Sequence, residues 1–193
     1  ERDDIEVIGN ATPDHWHTKI NIDACRAGKD VYAEKPLTFT INEGKLLRSV
    51  VHETNRVLQV GSQQRSGVQF RTACELVRNG RIGEVKEVFV CVGGPSSGRM
   101  LPAQPVPEGL DWDGWLGPVD KQVGYHKDLH PKNWRAWWDF GCGGLGDIGC
   151  HILDLTTYVV GDITRLACEL KTFDKGVKNN PYKGYLLDAN DSA

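Results

Sequence analysis

Three short apolar runs, each followed within a few residues by a segment of helical periodicity, constrain this chain more than any other feature. Ile5 to Ile8 read as a strand that ends in the loop NATPDHWH. A helix is expected from about His15 to Ala27, with Asp14 as its cap and Gly28 closing it. VYAEKP is the second strand, broken by Pro36, and a helix opened by Thr40 or Asn42 runs to about Thr54 with Ile41, Leu46, Leu47 and Val50 on its inner side. VLQVGS is the third strand, and a third helix covers about Val68 to Asn79 before Gly80. Strands alternating with helices through short loops build βαβ units and a mostly parallel sheet. Three strands fall short of the roughly six in a complete doubly wound domain. The expectation for residues 1–82 is therefore an incomplete Rossmann-type sheet in an α/β fold.

At Gly83 the character changes, and residues 83–193 read as part of a second unit. EVKEVFVCVG has the partial alternation of a longer strand with one face open to solvent. Gly94 to Phe140 is irregular and rich in Pro, Gly and Trp. Trp112, Trp115, Trp134, Trp137 and Trp138 argue for order there, because so much aromatic area is seldom left in water. A strand at about Ile163 to Phe173 and a polar tail follow. A net charge of −3, without a basic cluster, gives no footprint for nucleic acid. No apolar run approaches the roughly 20 residues of a membrane helix. The six cysteines form no C-x-x-C pair, so reduced, mostly buried thiols are expected rather than a disulfide scaffold or a zinc site.

Chemistry concentrates in Gly141 to Asp154, GCGGLGDIGCHILD. Ile148, Ile152, Leu155 and Val159 recur at helical spacing, so a helix should start near Asp147 and bury that stripe. Asp147 and His151 then stand one turn apart on the same side. A carboxylate beside an imidazole is a proton-transfer pair, with the acid orienting the ring. The alternative is a helix cap with a histidine packed against it. Gly141, Gly143 and Gly146 satisfy G-x-G-x-x-G, but that motif needs an apolar strand entering the turn. NWRAWWDF enters instead, and Asp147 follows the last glycine, so these glycines are read as clearing space beside the helix start and not as a phosphate loop.

In an open α/β sheet, ligands bind beyond the carboxyl ends of the strands. Ala11-Thr12-Pro13 with His15 and His17, then Glu34-Lys35-Pro36, then Ser62-Gln63-Gln64-Arg65 stand at such ends. A lysine directly after a buried strand can present its ammonium to a substrate hydroxyl or carbonyl; the alternative for Lys35 is an ordinary surface turn. His15 and His17 have no evident third ligand, so no metal is expected.

In this order, ATPDHWH, AEKP, VGSQQR, EVKEVFV and GGLGDIGCH resemble the glucose–fructose oxidoreductase, inositol dehydrogenase and MocA family over roughly the first 170 residues. The resemblance implies a Rossmann NAD(P)-binding domain followed by an α+β domain with a mostly antiparallel sheet, here in part. It implies NAD or NADP as cofactor, a sugar or polyol as substrate, and a homo-oligomer in the full-length protein. By resemblance Lys35, Asp147 and His151 are catalytic, with His151 the general base. Ala11, Thr12, Pro13, His17, Glu34, Lys35, Pro36, Gln64 and Arg65 line the cofactor, while Trp134 and Arg135 join Lys35, Asp147 and His151 around the substrate. The family's first strand, phosphate loop and ribose-reading acid would precede Glu1, so the chain reads as an internal fragment. The cytoplasm is the expected compartment, with periplasmic export the alternative. The functional alternatives are an NAD-cycling glycosidase-like enzyme of the same fold, and an inactive binding protein or truncated chain.

Overall fold

The computed structural model describes residues 2–92 and 101–167. Its first part follows the expected alternation: β1 (Val7–Asn10), α1 (Asp14–Arg26), β2 (Asp30–Ala33), α2 (Ile41–Thr54), β3 (Leu58–Val60), a 3₁₀ turn (Gln63–Ser66) and α3 (Val68–Arg78). The three strands form one parallel sheet in the order β1-β2-β3. Val7 stands opposite Asp30 and Val31 opposite Leu58, so the carboxyl ends of all three strands open on the same edge. Ile22, Ala24, Cys25, Val31, Ala33, Leu47 and Val50 form the core between the sheet and the helices. α2 begins with a capping box: Thr40 Oγ1 accepts from the Glu43 N–H, and Glu43 reaches back to the Thr40 N–H.

Several elements differ from expectation for physical reasons. Asp14 is not a cap; Pro13 occupies that position without a side-chain bond, and Asp14 is the first helical residue with its carboxylate turned elsewhere. On α2 only Leu47 and Val50 are buried, three residues apart on one row, while Ile41 at the helix start and Leu46 off that row face solvent. Residues 84–92 form no strand, since no described segment lies alongside to bond with them, and Val88, Phe89 and Val90 are exposed. The antiparallel sheet expected beyond Gly83 thus does not form among the described residues. Residues 163–167 are irregular and exposed, and the rest of the expected strand at Ile163 to Phe173, together with the polar tail, lies outside the described residues. Cys91 is exposed and Cys142 and Cys150 are half-buried, so of the described cysteines only Cys25 and Cys74 meet the expectation of burial.

The tryptophan-rich segment is ordered around its rings. α4 (Trp112–Leu116) and a 3₁₀ turn (Asn133–Ala136) surround a core of Leu101, Trp112, Leu116, Leu129, Trp134 and Phe140 with their neighbours. Trp112 and Trp115 stack at 4.7 Å between centroids, and the Trp112 indole N–H donates to the Val123 carbonyl at 2.9 Å. The start of α1 docks on this core. His15 Nε2 lies 3.0 Å and Trp16 Nε1 2.9 Å from the same Trp115 carbonyl oxygen, and the His15 ring meets Trp115 and Phe140 edge-on.

Burial holds the His15 imidazole below its usual 6.5. The unfolded chain therefore binds more protons at this ring than the folded one in the acid range. The His15 contribution to stability is full above the unfolded value and is lost as pH falls through the lower folded value. The melting temperature is expected to drop as pH falls below about 6.5. In His15→Phe that drop should shrink, with Trp16 still bonded to the Trp115 carbonyl. Equal slopes in both proteins would remove His15 from the account.

Candidate active site

The glycine-rich segment leaves the aromatic core and winds into a π-helical turn (Leu145–Gly149) that runs directly into α5 (Cys150–Val160). Its glycines serve close packing of the chain on itself. A β-carbon at Gly141 would stand 2.7 Å from the Arg135 backbone, and one at Gly146 would stand 2.1 Å from Cys142 Cβ. The space they were expected to clear for a ligand is filled by protein. No strand of the sheet enters this segment; the 3₁₀ turn at Asn133–Ala136 does, so the glycine pattern is no phosphate loop.

Lys35 and Asp147 meet. The Lys35 ammonium pairs with Asp147 Oδ1 and also donates to the Asp147 carbonyl oxygen at 2.8 Å, across 112 residues of chain. Both side chains are mostly buried, at 19% and 27% exposure, so this pair is screened less than a surface pair. Arg135 Nε approaches the other Asp147 oxygen at 3.8 Å while its guanidinium lies 4.2 Å from the Trp134 ring centroid. Two cations thus converge on one carboxylate. The Cys150 thiol donates to the same Asp147 carbonyl at 3.3 Å. Burial pushes both the Cys142 and Cys150 thiols above their usual range, so neither supplies a thiolate here.

His151 is half-buried and has no side-chain hydrogen bond or ion pair among the described residues. The expectation that Asp147 orients it fails, because the carboxylate is taken by Lys35. The cause lies in the backbone: a π-turn bonds i to i+5, so the i,i+4 stacking of a plain α-helix does not carry from Asp147 to His151. The apolar stripe behind them is also only half-buried at Ile152, Leu155 and Val159, and Ile148 is exposed.

The strand ends divide into residues that face the open edge and residues that brace it. Ala11 is exposed, and Thr12, Pro13, Glu34 and Pro36 are half-buried along the edge. The Lys35–Pro36 peptide is cis. Gln64 Oε1 is a shielded acceptor without a partner, suited to a ligand N–H. His17, expected to face the cofactor, is instead 1% exposed with both ring nitrogens against backbone carbonyls. Arg65, expected on the same wall, gives its Nε to both oxygens of Asp154, at 2.9 and 2.8 Å, and lies 4.9 Å from the Tyr158 ring centroid. Trp134 is buried in the aromatic core and offers no open face to a substrate, whereas Arg135 is exposed. The inward turn of His17 and Arg65 carried no sequence signal beyond their place in the motifs.

Two stretches of the sequence match family models: residues 1–62 the model described as "Oxidoreductase family, NAD-binding Rossmann fold", and residues 89–172 the one described as "Oxidoreductase family, C-terminal alpha/beta domain". The chain belongs to the glucose–fructose oxidoreductase, inositol dehydrogenase and MocA family. Among curated members, levoglucosan dehydrogenase of Pseudarthrobacter phenanthrenivorans is 30% identical over 171 residues, 88% of this chain and 37% of that protein. Glycosyl hydrolase family 109 protein 1 of a Shewanella species is 30% identical over 84 residues, 44% of this chain and 18% of that protein. An oxidoreductase domain protein from Kribbella flavida has a similar structure, with a TM-score of 0.55 and 30% identity over 89% of this chain and 40% of that one. The chain spans less than half the length of each of these relatives.

The family's dinucleotide can be tested against the residues in hand. The open strand edge, with the Gln64 acceptor, Thr12, Pro13, Glu34 and the Lys35 ammonium, fits the nicotinamide half. The helix that opens at this edge, α1, has Pro13 at its cap and Asp14 in its first turn, which does not fit a pyrophosphate. Among the described residues no glycine-rich turn joins a strand of the sheet to a helix. If Arg65 is a strut rather than a cofactor ligand, Arg65→Ala should lower the urea midpoint by the equivalent of about 0.5–1 kcal/mol, the range for a half-exposed pair, with NAD affinity unchanged. Lost affinity at an unchanged midpoint would return Arg65 to the cofactor wall.

Proposed function

We propose that this chain carries the catalytic centre of an NAD(P)-dependent oxidoreductase acting at a CH–OH carbon of a sugar or polyol. The observation that supports it most is the meeting of Lys35, at the end of β2, with Asp147, at the mouth of the second segment. An ammonium held at a strand end, a carboxylate beside it and an unengaged imidazole one turn on are the parts needed to bind a hydroxyl and remove its proton. The name of levoglucosan dehydrogenase supports a carbohydrate as substrate. The two family-model stretches support a division into two domains near residues 82 and 83.

Bound NAD or NADP supplies the hydride acceptor. The chain's own part is orientation and proton transfer. Lys35 donates to the reacting hydroxyl oxygen and stabilises the negative charge that grows there as the proton leaves. Asp147 holds the Lys35 ammonium in place and accepts from a neighbouring substrate hydroxyl. His151 takes the proton. Arg135, exposed on the rim beside Asp147, positions the rest of the sugar. Thr12, Pro13, Glu34, Pro36 and Gln64 form the wall for the nicotinamide half. No helix of the described residues is long and apolar enough to cross a membrane; a cytoplasmic setting and assembly into a homo-oligomer belong to this proposal and rest on the family resemblance.

A second reading, in which the cofactor is reduced and reoxidised within one turnover while a glycosidic bond is eliminated, is favoured by the similarity to the family 109 glycosyl hydrolase. The experiment separates the two. With NAD or NADP in excess and a panel of sugars and polyols, net nicotinamide reduction is expected, and glycoside cleavage without net reduction would select the second reading. His151→Ala and Asp147→Asn should each cut turnover by roughly a hundredfold or more, the scale of a lost acid–base group, with cofactor affinity close to normal. Wild-type turnover in either variant would overturn the assignment.

A further inference from the structure

The first turn of α1 carries three buried polar side chains that the proposed chemistry leaves unused, Asp14, His15 and His17. Asp14 and His17 are three residues apart and share one face of the helix, while His15 and Trp16 between them turn to the aromatic core. Their exposures are 5% and 1%. Asp14 reaches to the glycine-rich segment, where its Oδ2 accepts from the Cys142 backbone N–H at 3.1 Å. His17 reaches to the strand ends, where Nδ1 lies 2.6 Å from the Pro36 carbonyl oxygen and Nε2 2.8 Å from that of Thr12. Both acceptors are main chain, so these contacts fix the path of the loops and not the side chains on them. Asn10 completes the seat, donating to the His17 carbonyl and to Asn21 Oδ1, and accepting from the Thr12 hydroxyl.

These two contacts end one residue beyond Lys35 and five residues before Asp147. Burying a carboxylate costs free energy unless it is bonded, and burial lifts the Asp14 carboxyl above its usual range, so a nonpolar residue would pack here at less cost. The direction of each arm supplies the reason for polar groups: one pins each of the two segments whose ends must meet. We propose that the first turn of α1 is a two-armed brace, in which Asp14 and His17 hold the glycine-rich segment and the Glu34-Lys35-Pro36 loop where Lys35 meets Asp147. Asp14 and His17 are positioning residues; they act through Lys35 and Asp147. Their functional meaning rests on the reading of that pair given above, but their geometry does not.

The test uses the 193-residue chain without cofactor or substrate, so the brace and the oxidoreductase reading can fail separately. The rate at which an amine-acylating reagent modifies Lys35 is measured by mass spectrometry and divided by the rate at Lys45, which is exposed on α2. In Asp14→Ala and in His17→Phe the Lys35 ratio should rise by roughly tenfold, the scale of a lost bond to a charged or buried group. In Asp14→Asn, whose amide oxygen still accepts from the Cys142 N–H, the ratio should stay near wild type. An unchanged ratio in folded Asp14→Ala and His17→Phe, or an equal rise in rate at Lys45, would overturn the brace. Hydrogen exchange on the unsubstituted chain decides the matter if those variants do not fold. The Cys142 amide should be protected, and exchange at the rate of a free peptide would overturn the proposal.

Discussion

An ammonium at the end of one strand and a carboxylate 112 residues later share a direct ion pair, and the arrangement of both segments depends on their meeting. The pair is partly shielded from solvent, so it is screened less than a surface pair. Other contacts also join the two parts. Asp14 bonds to the glycine-rich segment, His15 and Trp16 bond to the carbonyl of Trp115, and Arg65 clasps Asp154 on α5. Three of those four residues lie in the first turn of α1. That turn is a hub: one side seats on the aromatic core and the other holds the loops that carry the reacting groups.

The π-turn gives this site its particular chemistry. In a plain α-helix from Asp147 the carboxylate and His151 would stand one turn apart on the same side. The wider turn instead presents both the side chain and the main-chain carbonyl of Asp147 to the Lys35 ammonium. His151 is thereby left without a side-chain partner among the described residues, which suits its proposed part as proton acceptor. Arg135 beside the same carboxylate adds a second cation at the rim, so the proposed site combines two cationic donors with one unengaged imidazole.

Much of this was legible in the sequence. The strand–helix alternation placed all three strands and helices of the first part within a few residues, because apolar periodicity and boundary residues such as Thr40 and Gly80 act locally. Lys35 and Asp147 were legible as chemical groups from their motifs, but their pairing was not, since it is set by the π-turn and by contacts over a hundred residues apart. His17 and Arg65 turn to protein groups rather than to the open edge, which their motifs did not indicate. A motif says that a residue is needed at a strand end without saying whether it faces the ligand or supports the wall behind it. The glycines of the Gly141 segment misled in the same way: close approach was correctly inferred, but the approaching group is the chain's own backbone at Arg135 and the Cys142 side chain.

Lys35 and Asp147 act as one unit that joins the two segments. A double-mutant cycle with Lys35→Met, Asp147→Asn and the double variant, read by urea unfolding of the chain, tests it most directly. A coupling of about 0.5–3 kcal/mol is expected, the range for groups in direct contact, with the double variant less destabilised than the two single losses added together. Additive losses, with coupling near zero, would contradict it.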